Sequence, residues 1–328
     1  MALSQEHISV VVPVYCGAQT IPELVSRLAA VLPLAASQFE VILVNDGSPD
    51  NSWAVVESLC AQYAWVRGIN LMRNYGQHNA TLCGVRAARY EITITLDDDL
   101  QHPPEEIPSL LNRLCNGADV VYGVPQKRPH SWWRNLFSVF FKRILAWVMG
   151  TGSMRDIGAF RAFHTSLRQA FADYRNPNVI LDVLLSWGAN RFAAVPVHED
   201  PRTISHSNYN FSKLFRIAMV VLTAYSTAPL QFASLIGFFF ILVGLGVFVY
   251  VLSIYFLAGS IPGFPFLASI IALFSGAQLF SLGIMGEYLA RIFDRSMDRP
   301  PYVIGQERDA AHPALKQPCS EPTGVKLV

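Results

Sequence analysis

Ile92-Thr93-Ile94-Thr95-Leu96-Asp97-Asp98-Asp99-Leu100-Gln101-His102-Pro103-Pro104 is the stretch on which the reading of this chain turns. Its first five residues are β-patterned and predict a strand. Three consecutive carboxylates then stand at that strand's carboxyl end, where open α/β sheets bind their ligands. Neighbouring carboxylates repel, so a cation is the expected partner. A divalent metal holding a diphosphate suits the place, because Mg²⁺ and Mn²⁺ favour carboxylate oxygens and bridge phosphates. A solvated acidic turn or a helix N-cap is the alternative reading of the same residues.

Working outward, Ile8–Val14, Glu40–Asn45, Val66–Leu71 and Asp119–Tyr122 are further short β-branched runs. Between them Ile21–Leu32, Asn51–Tyr63, His78–Ala88 and Glu105–Leu114 carry helical apolar spacing. Such alternation predicts an α/β domain built on a mostly parallel, doubly wound sheet. Ser48-Pro49-Asp50 reads as a helix start, with a capping serine and proline at the first helical position. Four loops then fall at strand carboxyl ends: Val12-Pro13-Val14-Tyr15, Val44-Asn45-Asp46-Gly47-Ser48, Asn74-Tyr75-Gly76-Gln77-His78 and the aspartate triplet. In the second of these an aspartate can accept hydrogen bonds from a base or ribose, while glycine allows close approach. Four loops in series at one end of a sheet point to a nucleotide-diphosphate pocket.

Only 15% of the 328 residues are charged, against roughly 25% in soluble domains. The deficit is local, for no Asp, Glu, Lys or Arg stands between Arg216 and Glu287. Leu230–Leu257 and about 264–286 are each long enough for a bilayer core, which needs about 20 helical residues. Lys213 and Arg216 precede the pair, and Arg291, Arg295 and Arg299 follow it. The positive-inside rule then puts both flanks and both termini in the cytoplasm, with a tight turn outside. A buried helix pair in a soluble protein is the competing reading. Ser131–Val148 sets aromatic residues opposite Arg134 and Lys142, as an interfacial or a core helix would. The tail from about Gly305 is polar and is expected to be disordered. Five scattered cysteines without metal-ligand spacing suggest reduced thiols, and a net charge of +1 with no basic stripe gives no sign of nucleic acid.

The chain resembles family 2 glycosyltransferases of the polyprenyl-phosphate type, a group that includes dolichol-phosphate mannose synthases and bactoprenol glucosyltransferases. Arg73-Asn-Tyr-Gly-Gln-His78, Leu96-Asp-Asp-Asp-Leu-Gln-His-Pro-Pro-Glu-Glu-Ile-Pro108 and Gly286-Glu-Tyr-Leu-Ala-Arg-Ile292 are most similar to the undecaprenyl-phosphate 4-deoxy-4-formamido-L-arabinose transferases. The resemblance runs from Ile8 to about Tyr302. It implies a GT-A fold over 1–209, with an interfacial helix near 131–148. A juxtamembrane helix over 210–229, a two-helix transmembrane hairpin within 230–289 and a cytosolic tail over 290–328 follow.

The resemblance also implies a nucleotide-sugar donor, UDP-linked as the first expectation, and a polyprenyl phosphate acceptor at the inner membrane. Mg²⁺ or Mn²⁺ is expected near Asp97, Asp99 and Gln101. Pro13, Tyr15, Asp46 and Asp98 are expected around the nucleotide, and Arg202 over the diphosphate. Asp156 aligns with an acidic position near the acceptor; a helix cap is its alternative role. Asp97, Asp99 and Asp156 are thus the catalytic candidates, and a homo-oligomer is one expected assembly. The chain departs from the pattern at Cys16-Gly17, where relatives carry Asn-Glu, and after Arg202, where a lysine is missing and Lys213 is the nearest substitute in sequence. A processive polysaccharide synthase is the nearest rival, but the Gln-x-x-Arg-Trp motif it needs is missing from the sequence. A non-catalytic membrane scaffold is the other alternative.

Overall fold

The computed structural model describes residues 6–125, 158–177, 179–198, 228–258 and 263–309. These fall into two compact units. The first is an eight-stranded sheet covered by helices; the second is a pair of long helices.

Strands β1 (His7–Val14), β2 (Gln38–Asn45), β3 (Val66–Leu71) and β4 (Ile92–Thr95) form the parallel heart of the sheet. The helices α1 (Ile21–Ala35), α2 (Ser52–Gln62) and α3 (Gln77–Ala87) connect them. β1 is buried from Ile8 to Val14, as a strand covered on both faces must be. α1 buries Ile21, Leu24, Val25, Leu28, Leu32 and Ala35, a stripe at three- and four-residue spacing. Beyond α4 (Ile107–Cys115) come β5 (Val120–Pro125), β6 (Arg161–His164), the short helix α5 (Leu181–Ser186) and β7 (Phe192–Val197). With β8 (Ile304–Asp309) the order is β7-β5-β6-β4-β1-β2-β3-β8. β6 runs antiparallel to both β4 and β5, and β8 antiparallel to β3. The α/β, mostly parallel, GT-A-like sheet expected from the sequence is therefore present, with antiparallel insertions.

Two expectations are corrected here. The start of α2 is four residues later than Ser48, with Asn51 at the N-cap, and the Asp50 side chain accepts from Ser52 N at 3.1 Å. Ser48 is released for another task. The tail is also not disordered from Gly305, because Ile304–Asp309 is an edge strand. Its residues Ile304-Gly-Gln-Glu-Arg-Asp309 show no apolar alternation, and ion pairs fix them instead. Arg67, only 6% exposed, meets Glu40 at 2.7 Å and Glu307 at 3.0 Å. Asp309 pairs with Arg89 and lies 3.4 Å from Arg67. A buried guanidinium is tolerated only when surrounded in this way.

The second unit consists of α6 (Ala228–Ala258) and α7 (Phe264–Ser296), which touch through Phe240 and Phe274 with ring centroids 5.8 Å apart. Among the described residues one helical segment, Leu230–Leu257, is long and apolar enough to cross a membrane. At 1.5 Å per residue its 28 residues extend about 42 Å, beyond the ~30 Å of a hydrocarbon core. The expected second span lies inside α7 but does not meet that criterion as a described segment. The expected helix over 131–148, and residues 210–227 of the one expected over 210–229, lie outside the described residues.

Candidate active site

The strand order 3-2-1-4 reverses direction at β1, and the crevice outside such a reversal is where doubly wound sheets bind ligands. The chain places its unusual residues there. Leaving β4, it turns through Asp97, Asp98 and Asp99, all partly buried. Tyr15, just beyond β1, is 51% exposed, and its backbone N–H donates to Asp98 Oδ2 at 3.2 Å across the crevice. Pro13 lies lower, buried within β1 opposite Val44. Gly17 lies close to the triplet: a Cβ there would stand 2.4 Å from Asp98 Oδ2, which would have to move.

Asp46 follows β2 and is only 2% exposed. Its Oδ1 accepts from Tyr75 N at 2.7 Å and its Oδ2 from Gly76 N at 2.8 Å. The carboxylate thus ties the loop after β2 to the loop entering α3. Burial raises its pKa from the ordinary carboxylate value, and the two amide donors oppose that rise. Gly47 adopts φ +59°, and a Cβ there would fall 2.4 Å from the Arg73 carbonyl carbon, so only glycine lets the two loops close. Ser48 Oγ accepts from Cys16 N at 3.1 Å and donates to Asn45 Oδ1 at 2.6 Å. The loops after β1, β2 and β3 are thereby joined into one wall.

Burial, then the charges of Asp99 and Asp98, push Asp97 up to about 7, against the weaker opposing pull of Arg161 and Gln77. Gln77, the first residue of α3, donates Nε2 to Asp97 Oδ1 at 2.6 Å. Asp99 Oδ1 accepts from Gln101 N at 3.1 Å. Among the described residues no three His, Cys, Asp or Glu side chains form a ready-made metal cage. One or two hard carboxylates suffice for Mg²⁺ or Mn²⁺ when substrate phosphates complete the shell. Asp97 and Asp99 fit such a role, because crowded, partly desolvated carboxylates gain most from a bound cation.

Tyr15, Asp46, Asp97, Asp98, Asp99 and Gln101 thus share the carboxyl end of one sheet. Asp156 and Arg202 lie outside the described residues. Sequence reasoning missed Gln77 and Ser48 as contributors to the site, although both sit in loops it had singled out. It also missed Arg161 and Asp182, buried at 3% and 4% exposure beneath the triplet. A lone cation in the apolar run Phe160-Arg161-Ala162-Phe163 was the available signal.

Residues 9–173 match the family described as Glycosyl transferase family 2. Among solved structures, S. aureus TarS residues 1–349 is similar at 18% identity and TM-score 0.45, over 67% of this chain and 65% of that one. The same S. aureus fragment in complex with UDP-GlcNAc gives 19% and 0.46, over 65% and 66% of the two chains. Mycobacterium tuberculosis glucosyl-3-phosphoglycerate synthase, in complex with Mn²⁺ and UDP-glucose, gives 17% and 0.45, over 66% and 77%. The chain thus spans about two thirds of the length of the first two.

Proposed function

Because the chain belongs to glycosyl transferase family 2 and is a glycosyltransferase, we propose that it moves a sugar from a UDP-linked donor onto a polyprenyl phosphate such as undecaprenyl phosphate. The observation that carries this reading is the crevice between β1 and β4, where Tyr15 N bonds Asp98 across the reversal and three carboxylates stand at its mouth.

In this reading the nucleotide lies along the wall built by Tyr15, Asp46, Gly47 and Ser48, with the diphosphate toward Asp97, Asp99 and Gln101. Mg²⁺ or Mn²⁺, when bound, supplies charge neutralisation to the departing diphosphate. Asp97 and Asp99 would hold that ion, and the Gln77 amide restrains the Asp97 carboxyl by its hydrogen bond to Oδ1. Asp98 is held by Tyr15 N and fixes the crevice width. Arg202 offers a guanidinium fork to the diphosphate, and Asp156 orients the sugar or the acceptor.

A lipid phosphate oxygen forms the new bond to the anomeric carbon as the bond to the nucleoside diphosphate breaks, with inversion. The acceptor phosphate is largely ionised at neutral pH, by analogy with a second pKa of about 6, so alignment rather than a strong base sets the rate.

Leu230–Leu257 supports a membrane site for the reaction, since isoprenoid phosphates reside in bilayers. In this reading the apolar part of α7 forms the second span. Lys213 and Arg216 before the pair, and Arg291, Arg295 and Arg299 after it, keep the catalytic domain on the cytoplasmic face of the inner membrane.

The test is label transfer from a panel of nucleotide sugars to undecaprenyl phosphate in vesicles, with and without Mg²⁺ or Mn²⁺. One labelled lipid product, formed only with metal, is expected. Transfer to water-soluble acceptors alone would reject the lipid acceptor.

A further inference from the structure

An ion pair sits within the sheet directly below the triplet, and the proposed reaction does not use it. Arg161 opens β6 opposite Thr95, the last residue of β4, and donates Nε to Thr95 Oγ1 at 2.9 Å. Thr95 Oγ1 in turn donates to Ala159 O at 2.7 Å. Arg161 Nη1 meets Asp182 Oδ1 on α5. Tyr122, opposite Arg161 on β5, donates its hydroxyl to that same oxygen at 3.0 Å. Arg161, Asp182 and Tyr122 are 3%, 4% and 1% exposed, so the network is dry.

Such a network is a poor device for stability alone. Taking both charges out of water costs about as much as their attraction returns, and apolar replacements of similar volume are often as stable. What it does fix is position. Thr95 is two residues before Asp97, so holding the Thr95 side chain sets where the chain leaves β4 and on which side the Asp97 carboxyl emerges. The positive charge of Arg161 also reaches Asp97, opposing the rise in its pKa.

We propose that Arg161, clamped by Asp182 and Tyr122, is a positioning residue that fixes the end of β4 and presents Asp97 to the cation on the donor diphosphate. The proposal rests on the metal-dependent transfer reading above.

Its test measures Mn²⁺ binding by electron paramagnetic resonance on the full chain with UDP present, beside KM for Mn²⁺ and kcat. Arg161→Met alone strands the Asp182 charge and is expected to unfold readily. Arg161→Met with Asp182→Leu removes both charges and is expected to stay folded, with a thermal midpoint lowered by several degrees because the buried Tyr122 hydroxyl loses its acceptor. In that double variant the Mn²⁺ dissociation constant with UDP and the KM for Mn²⁺ should each rise at least tenfold. kcat at saturating Mn²⁺ should fall by a smaller factor. Arg161→Lys, which keeps the charge without the fork, should recover part of the loss.

A folded double variant that binds Mn²⁺ within twofold of the parent overturns the proposal and leaves the transfer reading intact. A parent that binds no Mn²⁺ with UDP overturns both.

Discussion

The two ends of the sheet treat their carboxylates in opposite ways. At the amino ends of β1, β2 and β3, Glu40 faces Ser9 and Arg67, while Glu307 and Asp309 of β8 face Arg67 and Arg89. Cations and acids there are interleaved. At the carboxyl ends Asp97, Asp98 and Asp99 follow one another, and burial first, then the charges of Asp99 and Asp98, raise the proton affinity of Asp97. The first end is complete as folded. The second crowds three acidic residues at the crevice beside β1, a setting that suits a cation-bearing ligand.

The largest effect expected from breaking this contrast is on turnover. Asp99→Asn should leave the protein folded yet lower transfer by about 10³-fold, the scale of losing a preorganised electrostatic group. Initial rates at saturating donor check this, and parent-like turnover would remove Asp99 from the site. Next comes the paired end. Arg67→Met strands the buried Glu40 charge, while Asp309 keeps Arg89, and losing one partner of a buried pair costs about 3–5 kcal/mol. Urea unfolding of the full chain should show that loss while the transfer rate per folded molecule stays unchanged.

A smaller effect is expected in pH dependence. Asp97 titrates at about 7 in the folded, metal-free protein but near 3.8 when unfolded. Between those values the native state holds a proton that the unfolded chain has released, so this group's contribution to stability falls as pH rises from 4 to 7. The loss is complete above 7. In a site still partly solvated it amounts to about 1 kcal/mol. Thermal midpoints of the parent against Asp97→Asn should diverge across that window, and Mn²⁺ with UDP should close the gap. A parallel pair of curves would refute it. The smallest effect belongs to Gln77→Leu, which removes the donor on Asp97 Oδ1. Metal-activation curves should show KM for Mn²⁺ raised by about tenfold or less, the worth of one charge-assisted hydrogen bond.

What the sequence revealed follows from how local each signal is. β1 to β5 and α1 to α4 were legible because continuous apolar runs alternating with helical spacing have few other solutions. β8 was not legible, since Gly305-Gln-Glu-Arg-Asp309 reads as a polar tail until Arg67 and Arg89 stand opposite it. β6 is four residues long, too short for a period to show. In the site, the triplet was legible because three adjacent carboxylates repel and stand at the carboxyl end of a recognisable strand. Asp46 was legible as a site residue, but its work as a brace on Tyr75 N and Gly76 N depends on a loop 29 residues away. Arg161 and Asp182 required the strand order, which no local pattern encodes.

The central claim is that the acidic end of the sheet waits for a cation carried with a diphosphate. Counting bound Mn²⁺ per chain by electron paramagnetic resonance, with and without UDP at pH 8, tests it most directly. One ion per chain is expected with UDP present, falling to none in Asp97→Asn with Asp99→Asn. Stoichiometric binding that survives both substitutions, or no binding with UDP, would contradict it.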